Sequence, residues 1–254
     1  MTLNNYNPEK YWDEVAKQID SRQDLKLIAG DNEPYYRYKR KKLLELFDTI
    51  SFANKKVLEV GSGPGGNLDY LANKGTLEIA GTDISQNMVD LSGKLLSTKN
   101  IKVKKTDGRT LPFKSKGFDL IFTATVLQHN TSESSLIDLI SEICRVSASE
   151  VYIFERIENK IIGHESNIGR PVEYYSSLFL KYGFQLKEVR FLNIQLSYIV
   201  CGAIRKIFNS RKRKEGEPLS KLSIFLENVL LPVTSVFDKL MPSKRDLGML
   251  YFKS

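Results

Sequence analysis

The segment Glu59-Val60-Gly61-Ser62-Gly63-Pro64-Gly65-Gly66 follows the β-rich run Lys56-Val57-Leu58-Glu59-Val60 and carries the G-x-G-x-x-G spacing through Gly61, Gly63 and Gly66. Glycines at this place let the chain turn sharply and let a ligand approach the backbone before a helix begins. By itself the spacing admits a nicotinamide dinucleotide as readily as another nucleoside cofactor. The acids around it narrow the choice. Glu59, two residues before Gly61, would repel a pyrophosphate but can face a cationic amino group. Asp83 closes a second strand and offers an acceptor for two ribose hydroxyls. Asp107-Gly108 closes a third, where a carboxylate can accept from an exocyclic adenine amine. The run Phe118 to Phe122 then leads into Thr123-Ala124-Thr125-Val126-Leu127-Gln128-His129 at the carboxyl end of a fourth strand, where ligand sites of α/β sheets open. A Y-x-x-x-K pattern, Tyr70 to Lys74, falls on the first helix after the loop, the wrong place for dehydrogenase chemistry.

The chain has two histidines, and their ordinary pKa near neutrality suits proton transfer. His129 follows the fourth strand and His164 the fifth, so both are expected on the ligand face. Glu155 ends the fifth strand and can hold a substrate or orient a histidine. The polar loop from Gly163 to Tyr175 supplies Arg170, Tyr174 and Tyr175, which suit a phosphate or a sugar ring. Upstream, Tyr11-Trp12 and Glu33-Pro34-Tyr35-Tyr36-Arg37-Tyr38 can form a lid, with Tyr36 and Arg37 near a cofactor carboxylate. Cys144 and Cys201 lie far apart without a CxxC or Cys/His cluster, so neither a zinc site nor a disulfide framework is expected, and both read as buried. No metal triad stands out, so metal-independent chemistry is expected.

These residues need elements to position them. Strands alternate with helical segments from about residue 55 to residue 155, the pattern of a parallel sheet with helices on both faces. Five strands are expected there: 56–60, 77–81, 101–104, 118–122 and 151–154. Two later ones, 184–196 and 247–252, are placed to pair as an antiparallel edge. Between these lies a helical insertion at about 198–243, whose apolar stripe (Leu222, Phe225, Leu226, Val229, Leu230, Val233, Val236, Phe237, Leu240) is expected to pack on the core. Residues 1–50 are expected as a helical lid and 51–254 as the main domain. At 254 residues, 41% hydrophobic and 27% charged, the chain is long enough and apolar enough for one sizeable core.

The whole set resembles the class I S-adenosylmethionine-dependent methyltransferases, in their small-molecule branch. Val57 to Gly65 match its V-L-E-V-G-x-G-x-G loop, Gly81 to Ser85 its G-x-D-x-S segment, and Leu111 to Phe113 with Phe118 to Phe122 its L-P-F…F-D-x-I stretch. The resemblance implies a Rossmann-like, mostly parallel seven-stranded sheet with an antiparallel last strand. It also implies that S-adenosylmethionine is held by Glu59, Gly61, Ser62 and Gly63 at its methionine part, by Asp83 at the ribose, by Ile84 and Met88 at the adenine face, by Asp107-Gly108 at the adenine edge, and beside Ala124.

The expected acceptor is a small molecule. An amine needs only to be neutral, whereas a hydroxyl gains from a base such as His129 or His164. A sugar hydroxyl, carried on a lipid or a phosphate, therefore comes first; quinone-type C-methylation and amino-sugar N-methylation are the alternatives. A noncatalytic cofactor-binding adaptor and an RNA-binding protein are the rivals from other classes. Nucleic-acid methylation is disfavoured, because no [DN]-P-P-[FYW] segment follows the fourth strand and no Pro-Cys occurs. The formal net charge of +8 gathers at Arg37, Lys39 to Lys42 and at Arg205, Lys206, Arg211 to Lys214, which is compatible with a solvated face or with peripheral contact to an anionic membrane. The 14 uncharged residues from Phe191 to Ile204 are too few for a span. The start Met1 to Asn7 has no secretory pattern, which leads to an expectation of the cytosol.

Overall fold

The computed structural model describes residues 6–21, 33–210, 213, 217–243 and 246–254; of the second basic cluster, Arg211, Lys212 and Lys214 lie outside the described residues. In chain order the elements are α1 (Pro8–Ser21), α2 (Pro34–Phe47), β1 (Lys56–Val60), α3 (Gly66–Leu71), β2 (Glu78–Asp83), α4 (Gln86–Leu95), β3 (Lys102–Lys105), β4 (Phe118–Ala124), α5 (Glu133–Val146) and β5 (Ser147–Ile157). They continue with β6 (Ile162–His164), β7 (Asn167–Gly169), α6 (Val172–Leu180), β8 (Gln185–Phe191), α7 (Gln195–Phe208), α8 (Lys221–Asp238) and β9 (Asp246–Lys253).

The main sheet runs β3-β2-β1-β4-β5-β9-β8. β1 pairs in parallel with both β2 and β4, as expected of apolar strands buried on both faces. β9 runs antiparallel to both β5 and β8. It is therefore the penultimate strand, and the edge belongs to β8. The chain order reverses between β1 and β4, which opens a crevice at their carboxyl ends. One apolar layer packs α5 and α6 on the sheet through Leu136, Ile140 and Phe179. The other packs α2, α3 and α7 through Phe47, Leu68 and Cys201, with the Phe47 ring 5.3 Å from that of Phe122 and 4.9 Å from that of Phe154. Cys144 and Cys201 are free thiols in these layers.

Three expectations change. The strand placed at 184–196 stops at Phe191, and α7 begins at Gln195. The β-rich composition is overridden by a tertiary contact: Asp238 accepts from the Ser197 amide at 3.0 Å and from its hydroxyl at 2.5 Å, fixing the first turn of the helix. Second, the apolar stripe of α8 does not face the core. Ser223, Glu227, Leu231, Thr234 and Asp238 face inward instead, and Leu222, Phe225, Val229, Val233 and Val236 point outward. Third, the two N-terminal helices part. α1 lies on α4 through Val15, Ala16, Ile19, Met88 and Leu91, pinned where Asp13 accepts from the Ser85 hydroxyl. α2 instead packs against α7 and α8, where the Glu227 carboxylate accepts from the Tyr35 amide and Asp238 from the Tyr38 hydroxyl.

Candidate functional site

A cavity of about 390 Å³ opens at the carboxyl ends of β1, β2 and β4. The loop after β1 makes one wall. Gly61, Gly63 and Gly65 hold φ of +74°, +53° and +88°, a region that side chains disfavour. A Cβ on Gly61 would lie 2.3 Å from Val126 Cγ2. Gly61→Ala is therefore expected to cost about 2 kcal/mol or more through left-handed strain and the clash, and to weaken cofactor binding; thermal unfolding and calorimetric titration check both effects. The Gly61 and Ser62 amides donate to the Thr82 carbonyl, both at 2.8 Å, which ties the loop to β2.

The acids differ in their surroundings. Glu59 is buried; its Oε1 accepts from Asn67 Nδ2 at 2.7 Å, while Oε2 has no partner. Burial pushes its pKa up to about 8, against the opposing pull of the Asn67 bond and of Arg40. Asp83 accepts from the Gly63 amide at 2.8 Å and the Ser85 amide at 2.9 Å, and burial raises it to about 6. A carboxylate has about four lone-pair sites, so these bonds leave it capacity for a ligand. Asp107 is held below the usual carboxylate range by the Thr110 and Arg109 amides of its own turn. Ile84, Met88 and Ala124, the last residue of β4, line the same cavity. Gly108, at φ +76°, lets Ile84 approach to 2.8 Å of where a Cβ would be.

His129 closes the same cavity. Its Nδ1 lies 2.8 Å from the Ser166 carbonyl, an acceptor only, so Nδ1 carries the proton. Its Nε2 accepts from the Gln128 side-chain amide at 3.2 Å, while Gln128 Oε1 accepts from the Arg156 amide at 2.8 Å. Burial lowers the imidazole to about 4, so it is neutral across the physiological range. Trp12 of α1 sets its edge against the His129 ring, 5.1 Å between centroids, and Tyr6 adds another aromatic wall.

Other sequence candidates lie elsewhere. Glu155 is fully buried and accepts from Thr123 Oγ1 and from the Val126 and Gln128 amides. Arg170, also buried, donates to the Leu127 and Asn130 carbonyls at 3.0 Å each. The two clamp the loop that carries Val126 and His129, in which Thr125 holds a left-handed φ of +59°. Tyr174 donates to Glu133, and Tyr175 is buried in the α6 layer. His164 sits exposed on the β6–β7 hairpin beside the Ser166 hydroxyl and does not line the cavity. Tyr36 and Arg37 ride on α2, away from the cavity; the Arg205 guanidinium lies 4.6 Å from the Tyr36 ring.

The cation that reaches the loop is instead Arg40, one turn beyond Arg37. It donates to Asn67 Oδ1 and to the Gly66 carbonyl, both at 2.8 Å. Arg40 and Asn67 were not read from the sequence. Asn67, eight residues after Glu59, sits in the first turn of α3, where its amide can turn back to the strand end; that placement was the available signal. Among the described residues no group of three or more His, Cys, Asp or Glu could hold a metal ion.

Residues 57–150 match the family model described as "Methyltransferase domain". Ubiquinone biosynthesis O-methyltransferase of Coxiella burnetii is 30% identical over 131 residues, 51% of this chain and 55% of that protein. Phosphoethanolamine N-methyltransferase of Plasmodium falciparum is 34% identical over 82 residues, 32% of this chain and 31% of that one. The chain thus spans about half the length of the first of these relatives and less of the second. Among solved structures, a SAM-dependent methyltransferase from Aquifex aeolicus is similar at a TM-score of 0.51 and 21% identity, over 74% of this chain and 94% of that one. The [4+2]-cyclase SpnF gives 0.67 at 14% identity, over 97% and 95%. These structural likenesses show a shared fold, and a shared fold does not fix the reaction.

Proposed function

We propose, on the premise that this chain belongs to the class I S-adenosylmethionine-dependent methyltransferases, that it transfers a methyl group to a hydroxyl of a small-molecule acceptor. The observation that carries this is the opening of two unlike groups into one cavity: the unpartnered Glu59 Oε2 and the neutral imidazole of His129. A buried carboxylate oxygen without a partner is costly, and a ligand ammonium group relieves it. Glu59 would hold that ammonium group, Asp83 the ribose hydroxyls, and Ile84, Met88 and Asp107-Gly108 the adenine. When bound, the cofactor's sulfonium supplies an electrophilic methyl for in-line displacement, so positioning contributes much of the acceleration.

The chain's own residues then handle the proton. The bond from Nδ1 to Ser166 fixes the tautomer, leaving the Nε2 lone pair as the acceptor. An acceptor hydroxyl takes the place of the Gln128 amide at Nε2 and releases its proton there. A base with so low a pKa accepts that proton only as formation of the new C–O bond acidifies the hydroxyl. Trp12 and Tyr6 supply aromatic faces and exclude water. α1, resting on α4, acts as the lid, in place of the whole stretch 1–50.

A sugar hydroxyl remains the first acceptor, since its C–H face suits Trp12, and Arg109 on the cavity wall suits an attached phosphate. A phenolic hydroxyl is the second reading, favoured by the name of the Coxiella relative. The two are separated by offering methyl-labelled cofactor with a panel of phosphorylated sugars and of catechols and locating the label by mass spectrometry. Label on a sugar oxygen supports the first, label on a ring oxygen the second, and label on neither class contradicts both.

A further inference from the structure

In the α7–α8 hairpin, α8 presents a largely polar side to the protein and its apolar side to solvent. In α8 the inward positions recur at steps of four, four, three and four: Ser223, Glu227, Leu231, Thr234 and Asp238. Glu227 holds Arg205, Thr234 shares a hydrogen bond with Ser197, and Asp238 holds Ser197 and Tyr38. These bonds fix the rotation of the helix about its own axis. They hold outward Leu222, Phe225, Val229, Val233, Val236 and Phe237, which are between 48% and 61% exposed. α7, packed beside α8, also exposes Ile199 and Ile207. Isolated apolar residues on a surface are ordinary, but a contiguous face along two helices marks a contact site.

Charge identifies what covers it. Between Lys221 and Lys239 the exposed side of α8 carries no charged side chain, and exposed Lys206, Lys221 and Lys239 lie at the helix ends. An apolar stripe with lysines at its ends matches a helix lying at a lipid interface, its ammonium groups reaching phosphates. A second copy on this face would bring two chains of +8 together, whereas an anionic bilayer supplies the opposite sign. Among the described residues no helix is long and apolar enough to cross a membrane, so a bilayer contact through this face is one along the surface. We propose that the outer face of α7 and α8 docks the protein on an anionic lipid surface, with α8, 18 residues and about 27 Å long, parallel to it.

Sedimentation of the full chain with vesicles tests this. Binding is expected to vesicles of phosphatidylglycerol mixed with phosphatidylcholine, and to be weaker to phosphatidylcholine alone and at high salt. The double change Phe225→Asp and Val233→Asp should lower partitioning at least about tenfold, with an unchanged melting temperature because both sites are exposed. Changing Lys206, Lys221 and Lys239 to Gln should remove only the gain from the anionic lipid, and gives a second readout if the Asp variant fails to fold. No partitioning of the wild-type chain into either vesicle overturns the proposal. So does a dimer in sedimentation velocity that the Asp variant dissociates and vesicles do not compete with, which would assign the face to a second copy.

Discussion

Replacing Glu59 by Gln is expected to weaken cofactor binding about a hundredfold and, at the same time, to raise the melting temperature of the ligand-free protein. The loss follows from removing the charge opposite the cofactor's ammonium group, a charge-assisted bond of about 1.5–3 kcal/mol. The gain follows from linkage. Burial raises the folded-state pKa of Glu59 from 4.5 to about 8. Between those values the folded chain holds a proton that the unfolded chain has lost, so stability falls as pH rises through that window. Gln keeps an oxygen for the Asn67 bond and cannot ionise. The variant should therefore gain on the order of 1–3 kcal/mol at pH 8, several degrees in melting temperature, and nothing below about pH 4.5. Asp83, raised to about 6, contributes a slope of the same sign to both proteins and cancels in the comparison. Differential scanning calorimetry across that range, paired with titration of S-adenosylhomocysteine, reads both effects. A variant that lost stability along with affinity would mean that Glu59 holds the fold instead of awaiting a cation.

His129→Ala should lower kcat by about 10²–10⁴ and leave cofactor affinity within a few fold, because the imidazole is not among the groups proposed to hold the cofactor. His164→Ala should stay near the parent, as its ring is exposed outside the cavity. Added imidazole should restore part of the activity of His129→Ala, a response that mere loosening of the Ser166 contact would not give. The pH profile provides a further test. With the imidazole lowered to about 4, its base form is complete well below neutrality, so kcat should show no histidine titration between about pH 6 and 8. A step near 6.5, or full activity in the double His129 and His164 change, would place the base elsewhere.

That the residues proposed for the cofactor line one cavity was legible because their placement is local. Glu59, the glycines, Asp83 and Asp107-Gly108 each sit at or just beyond a strand end, and a parallel sheet brings those ends together. What sequence could not show was which acids already have partners. Glu155 reads like Glu59, a carboxylate at a strand end, yet it is fully buried outside the cavity and its oxygens accept from the amides of the loop after β4. Arg170 misleads in the same way: it is buried outside the cavity and donates to the Leu127 and Asn130 carbonyls. Arg40 was missed because its link to Glu59 passes through Asn67, a contact across 27 positions. At the start of α7, Gln195 and Leu196 read as the end of a strand, and a carboxylate from 41 residues downstream fixes the first helical turn there instead. In α8 the period was right and the direction reversed, since periodicity finds a stripe but not the side it faces.

The most direct test of the cofactor site is calorimetric titration of S-adenosylhomocysteine at pH 6 and pH 8, in buffers of different ionisation heat. Binding of an ammonium group requires ionised Glu59, which is largely protonated in the free protein below about pH 8. One molecule should bind per chain, on the order of tenfold or more tightly at pH 8, with close to one proton released at the lower pH. No binding, or binding of equal strength at both pH values with no proton released, would contradict the assignment of Glu59 and this cavity to the cofactor.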